Sequence, residues 1–306
     1  MQTKQPSVQI VKSIVGYPSE KAIAFVDEVR RNTGVDIILH PPALPSPSHF
    51  NVLLNPSVMS CSTAVEFDVR VTQDQSALIQ HSEFTDTLKG WDKITNIGQL
   101  HTMVSKDRLS ILMCTDSYTI EDVKRKLRVR DLTLSEFKTL AGIGEQEVLD
   151  VQEFLNRYNK SGSTRKLMVD SKDPQSSRVA LDAIITRGRL PSVYLIIEND
   201  EESFKSTKKM VEGQNADVPV GLALRSELRL KRDGADALVA YARNVPKSLG
   251  VQTVITKITQ LPIICEVVKG YNVVAYVPPQ EREKPAELIQ LIRANPNVRA
   301  LEVDID

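Results

Sequence analysis

The 306-residue sequence has little of what usually announces a function. Its three cysteines, Cys61, Cys114 and Cys265, lie far apart. They form neither a zinc-ligand pattern nor an even disulfide set, so reduced thiols in a cytosolic setting are expected. Aromatic residues are 5% of the chain, and no aromatic box marks a head-group site. Charge of either sign is not in excess: 39 Lys and Arg face 39 Asp and Glu. That balance argues against a whole-protein footprint for nucleic acid, and no nucleic-acid partner is expected. No apolar run approaches the ~20 residues of a membrane helix. The N-terminal MQTKQPSVQIVKSIVGYPSEK lacks the apolar block of a secretory leader, so a cytoplasmic location is expected. No G-x-G-x-x-G follows a strand, and no Walker loop, HExxH or G-x-S-x-G occurs, which removes four common enzyme classes. There is no internal repeat and no low-complexity tract.

What is present is a regular alternation. Residues 18–33 place Ala22, Phe25, Val26 and Val29 at helical spacing, with Gly34 as a stop. VDIILH (35–40) reads as a strand, PPALPSPS (41–48) as a proline-rich loop. Strands follow at 64–71, 77–81, 165–173, 192–199, 219–224, 251–256, 271–277 and 298–304. Helices are expected around 95–105, 174–188, 200–214, 233–244 and 281–294, and Thr133 with Glu136 has capping-box spacing. Strands separated by such helices imply βαβ units and a parallel sheet. About eight units in this length fit a single α/β (β/α)8 TIM barrel better than an open sheet. The expected organisation is an N-terminal extension with one helix (1–34) and a barrel domain (35–306).

Ionisable residues stand where strands should bury apolar ones. His40 ends its strand, Glu66 and Asp68 lie inside AVEFDVRV, His81 follows ALIQ, and Asp170 and Lys172 follow KLMV. In a barrel, active groups belong at the C-terminal strand ends. Strand alternation puts Glu66 and Asp68 on one face, expected to be the interior. Two carboxylates side by side favour protonation of one unless a cation lies between them. A hard divalent cation held by oxygen ligands resolves this, and Asp170 can supply a third. Lys172 shares a face with Asp170 and can offset anionic charge on a substrate. His40 and His81 form a candidate acid/base pair, because imidazole titrates near neutrality. His49 and His101 read as structural.

These residues carry a resemblance. The segment AVEFDVRVTQDQSALIQHS resembles the glycerophosphodiester phosphodiesterase family of the phosphatidylinositol-phospholipase-C-like barrels, whose members read E-L/F-D-V, a T-x-D turn, then His-Asp. Glu66, Asp68, Thr72, Asp74 and His81 fall in register, and His40 suits the family's first histidine. DLTLSEFKTL and LMVDSKD resemble later family segments, and the closing strands do so loosely. The D-x-K of Asp170 and Lys172 is more similar to the spider-venom phospholipase D branch. The likeness runs over roughly residues 35 to 306.

The resemblance implies a Mg²⁺ or Ca²⁺ ion held by Glu66, Asp68 and Asp170, acid/base work by His40 and His81, and phosphate contact by Lys172. It implies a small-molecule phosphodiester substrate and a role in lipid metabolism. Two departures stand out: Pro41 and Pro42 replace the family's arginine after His40, and Ser82 replaces the aspartate after His81. They motivate an alternative, an inactive barrel that binds a phosphorylated ligand or a partner protein. A third reading uses Lys172 as a Schiff-base nucleophile. The basic run KRKLRVRD (124–131) reads as a solvated helix face, or as a contact for phosphates or an anionic membrane.

Overall fold

β1, Asp36–His40, holds three wholly buried aliphatic residues between two ionisable ends. It pairs in parallel with both β2, Ala64–Val71, and β9, Val298–Asp304. Between these run β4 (Lys166–Ser171), β5 (Val193–Glu198), β6 (Val220–Ala223), β7 (Thr253–Lys257) and β8 (Asn272–Val277). The order β1-β9-β8-β7-β6-β5-β4-β2, with β1 pairing β2 again, closes an eight-stranded parallel barrel. β3, Ala77–Ile79, is an antiparallel addition to β2 through the TQDQS hairpin, where Gln75 takes φ 59°. The computed structural model describes residues 18–41, 46–55, 60–173, 175–189, 192–214 and 217–305.

Alternation makes two cores. Ile38, Ala64, Met168, Leu195, Ile197, Ile255, Val274 and Ala300 fill the barrel interior. Their neighbours in the strands, among them Ile37, Leu39, Phe67 and Val169, face outward against the helices. Helix α1, Glu20–Thr33, is capped by the Ser19 side chain and stopped by Gly34 at φ 72°. Its buried Ala22, Phe25, Val26 and Val29 belong to that outer core, and it packs on β1 and α12 (Pro285–Ala294).

Parts of the sequence reading shift. Pro47 is not loop but the first residue of α2, Pro47–Leu53, which Ser46 and His49 close with a capping box. Pro42 and Pro45 lie outside the described residues, as do residues 1–17. The long insertion after β3 is helical: α3 (Ile97–Met103), α4 (Lys106–Met113), α5 (Ile120–Lys126) and α6 (Leu134–Ile143). It has its own core around Trp91, Leu100, Leu109 and Phe137. The capping box of Thr133 and Glu136 forms as expected. Gly90 packs so tightly on α6 that an added Cβ would sit 1.8 Å from the Leu140 carbonyl oxygen. Helices also form at α7 (Val151–Ser161) and α11 (Leu261–Val268), where no helix was expected. The remaining helices are α8 (Ser176–Thr186), α9 (Glu201–Gly213) and α10 (Ser226–Leu249). The kink of α10 at Gly234 explains why its first half was not legible as helix.

Candidate active site

Every strand-end residue singled out above reaches the C-terminal mouth of the barrel or its interior just below. Register places His40 beside Asp304, and Asp68 beside Asp170. Glu66 is wholly buried and Asp68 nearly so, both on the inner face of β2. His40 Nε2 lies 3.3 Å from Glu66 Oε2 and 3.7 Å from Asp68 Oδ2. Lys172 Nζ lies 2.7 Å from Asp68 Oδ1 and also donates to Asp170 Oδ2. The His40 and His81 rings stand 6.5 Å apart and nearly perpendicular. His81 is exposed at the rim, and Arg70 Nε donates to its carbonyl oxygen at 3.0 Å.

Four further residues complete the cluster. His40 Nδ1 meets Asp304 Oδ1 at 2.6 Å, and Asp304 Oδ2 accepts from Tyr276 Oη at 2.6 Å. This pair fixes the ring so that Nε2 faces the carboxylates. Asn199 Nδ2 donates to Asp170 Oδ1 at 3.0 Å. Glu302 is buried below them. A signal for two of these was present in the sequence: LEVD repeats, at 302 and 304, the acid spacing of EFD at 66 and 68.

Charge within the cluster is lopsided. Glu66, Asp68, Asp170, Glu302 and Asp304 gather around His40 and Lys172. Burial works against charge on His40, yet Glu66, Asp304 and Asp68 outweigh it and hold its pKa well above the ordinary value. His81 goes the other way: partial burial, with Lys172 and His40 nearby, pulls its pKa down, against the opposing pull of Asp68. Burial and then Asp68 push Glu66 well up. Burial opposes ionisation of Asp68, but Lys172 and His40 win and keep it ionised. Lys172 stays charged, because Asp170, Asp68 and Glu66 overcome its burial. A lysine so held is a poor nucleophile, which argues against the Schiff-base reading. Burial lifts Glu302 to about 7.

The donor set fits a divalent cation. His40, Glu66 and Asp68 can each present one ligand atom, all within 4.8 Å of one another. Glu66 Oε1 has no hydrogen-bond partner among the described residues. A buried carboxylate left this way is costly unless a cation satisfies it. Asp170, the third expected ligand, lies in the same cluster but is engaged by Lys172 and Asn199.

His49 Nδ1 accepts from the Ser46 backbone N–H, and His101 Nε2 meets Tyr118 Oη at 3.0 Å. The three cysteines are free thiols. No described helix is long and apolar enough to cross a membrane.

No protein-family model matches the sequence, and no curated protein matches it. Solved structures do. A glycerophosphodiester phosphodiesterase from Thermotoga maritima superposes with TM-score 0.51 at 14% identity, over 88% of this chain and 94% of that one. One from Agrobacterium tumefaciens gives 0.51 at 12% identity, over 88% and 96%. A phosphodiesterase from Oleispira antarctica, in complex with the product sn-glycerol-3-phosphate, gives 0.51 at 11% identity, over 88% and 92%. The chain shares the TIM-barrel fold of these structures.

Proposed function

We propose that this chain is a metal-dependent phosphodiesterase acting on a glycerophosphodiester or a lysophospholipid-like phosphodiester. The observation that carries the reading is the pair of imidazoles 6.5 Å apart, set over a buried acid pair at the barrel mouth. The likeness in fold to phosphodiesterases, one of them holding sn-glycerol-3-phosphate, supports the choice of substrate class.

Glu66 and Asp68, with Asp170 as third ligand, would hold a Mg²⁺ or Ca²⁺ ion. Such an ion supplies Lewis-acid polarisation of a phosphoryl oxygen. Lys172, on the same rim, neutralises a second phosphoryl oxygen. His81, with its lowered pKa, takes the proton of the attacking hydroxyl. The oxygen–phosphorus bond forms as the bond to the leaving oxygen breaks. His40, kept cationic and oriented through Nδ1 by Asp304, gives its proton to the leaving alkoxide. Environments that push two titratable groups apart suit this division of labour. Attack by water yields a phosphomonoester and an alcohol; attack by a neighbouring hydroxyl of the substrate yields a cyclic phosphate and an alcohol.

A panel of phosphodiesters, scored for released alcohol with and without EDTA, tests the reading. Turnover is expected with metal, and its loss in His81→Ala. Normal turnover in His81→Ala would overturn it. One observation favours the alternative of an inactive, ligand-binding barrel: Lys172 already bridges Asp68 and Asp170, neutralising two of the acids a cation would use. No effect of metal on thermal stability, together with no turnover across the panel, would establish that alternative.

A further inference from the structure

A cavity of about 200 Å³ adjoins this site where the insertion meets the barrel. It is lined by Arg70, Arg130, Lys172, Glu83 and Asp173 with two valines. Arg70 lies on the inner face of β2, two residues beyond Asp68. It spends Nε on the His81 carbonyl and one terminal nitrogen on the Lys172 carbonyl, both main-chain acceptors. A guanidinium has five donors, so its charge and further N–H groups remain available. Arg130 comes from a 3₁₀ turn, Val129–Asp131, in the basic run 124–131. It is exposed and has no hydrogen bond or ion pair among the described residues. Of the other basic residues of that run, Lys124 meets Asp92, Arg125 meets Glu121, and Arg128 meets Glu83 at 2.9 Å while covering the Phe84 ring; Lys126 is exposed and does not line the cavity.

The acids on the cavity wall offset the two guanidinium groups only in part, Asp173 and then Glu83 acting on Arg70. Glu83 is taken by Arg128. Asp173 accepts from the Val71 backbone N–H at 3.3 Å. Lys172 is matched by Asp68 and Asp170. Two arginines therefore line a small cavity whose two carboxylates, Asp173 and Glu83, also serve the Val71 N–H and Arg128. Guanidinium forks recognise planar or tetrahedral oxyanions by charge-assisted hydrogen bonds.

We propose that this cavity is an anion subsite, and that Arg70 and Arg130 select phosphodiesters whose alcohol moiety carries a second acidic group, a carboxylate or phosphomonoester. The substrate clause rests on the phosphodiesterase reading; the anion site itself does not. Lys172, which belongs to the acid cluster and also lines this cavity, sets the phosphodiester and the second acid next to each other. The insertion, through Arg130, thereby contributes to specificity rather than to chemistry.

The test has two arms. In the first, binding of inorganic phosphate to the full chain is followed by NMR or calorimetry in EDTA, where the acid-rich metal cluster repels the probe. Affinity is expected to fall roughly tenfold to a hundredfold in Arg130→Gln, and similarly in Arg70→Gln. Arg130 is exposed, so its variant folds even if Arg70→Gln does not. Phosphate binding that is absent, or unchanged in Arg130→Gln, would overturn the subsite. In the second arm, two 4-nitrophenyl phosphodiesters are compared, one esterified with an ethyl and one with a carboxymethyl group. The wild type is expected to prefer the carboxymethyl ester in kcat/KM, and Arg130→Gln to lose that preference while still cleaving the ethyl ester. Equal use of both esters by the wild type overturns the specificity claim. No cleavage of either, with Arg130-dependent phosphate binding intact, overturns the phosphodiesterase reading and leaves the subsite standing.

Discussion

The two ends of β1 carry ionisable residues with opposite surroundings. At the lower end, Asp36 is fully engaged: Thr63 Oγ1 donates at 2.9 Å, Tyr194 Oη at 3.0 Å, and Arg30 lies at 3.4 Å. At the upper end, His40 faces Glu66, Asp68 and Asp304, and the buried Glu66 lacks a donor on Oε1 among the described residues. One network is charge-balanced and closes the barrel floor. The other has more acid than base and leaves a buried carboxylate oxygen that a cation would satisfy. Buried polar groups are satisfied as a rule, so the exception marks the site.

The comparison breaks most visibly in turnover. His40→Ala should cut kcat by about 10²–10⁴-fold, the usual contribution of one proton-transfer group. Asp36→Asn should leave kcat unchanged. If both variants lose activity equally, the two ends are not functionally distinct. Steady-state rates on the best diester of the panel, with circular dichroism to confirm folding, decide this.

Glu198 sharpens the contrast, because it is an acid as buried as Glu66 but satisfied. It lies at the outer face of β5, where Thr207 Oγ1 donates at 2.6 Å and Ser177 Oγ also donates. Burial nevertheless lifts its pKa from 4.5 to about 7. Between those values the folded protein holds a proton that the unfolded chain has released. Its contribution is therefore full below pH 4.5 and lost as pH rises to about 7. The span corresponds to roughly 3 kcal/mol at most. Denaturant midpoints from pH 4.5 to 7.5 should fall less steeply in Glu198→Gln than in the wild type. Parallel curves would show that Glu198 titrates normally.

A smaller effect is expected from Glu66. In EDTA at pH 8, Glu66→Gln should stabilise the fold by about 1–2 kcal/mol, by removing a buried acid that Asp68 crowds and whose Oε1 has no donor among the described residues. The same variant should lose the stabilisation by Mg²⁺ or Ca²⁺, which reaches about 2.7 kcal/mol for the wild type at a hundred times Kd. A destabilised Glu66→Gln would mean that the carboxylate is already satisfied without a cation. A change of the same size and opposite sign is expected at the barrel floor, where Asp36→Asn should cost about 1–2 kcal/mol through weakened hydrogen bonds. Thermal melts check both.

Legibility followed periodicity. β2 was readable to the residue, because AVEFDVRV alternates without interruption, and the side of Glu66 and Asp68 followed from that alternation. α4 and α5 were not, because their short apolar stripes bury against an insertion core that local pattern does not reveal. α2 was hidden by Pro47, which reads as a breaker but occupies the first helical position, where no N–H is needed. Asp304 and Tyr276 escaped because their importance lies in distance: 264 and 236 residues beyond His40, they meet it only when the sheet closes.

The chain's order of apolar and polar residues thus determined the strands, the helical outer layer and the inward direction of the acids, since each depends on local spacing. Tertiary structure decided which charges became neighbours. Barrel closure sets β9 against β1 and β4 against β2, giving His40 its Asp304 and Asp68 its Lys172, and burial there raises or lowers each pKa in ways no linear spacing encodes.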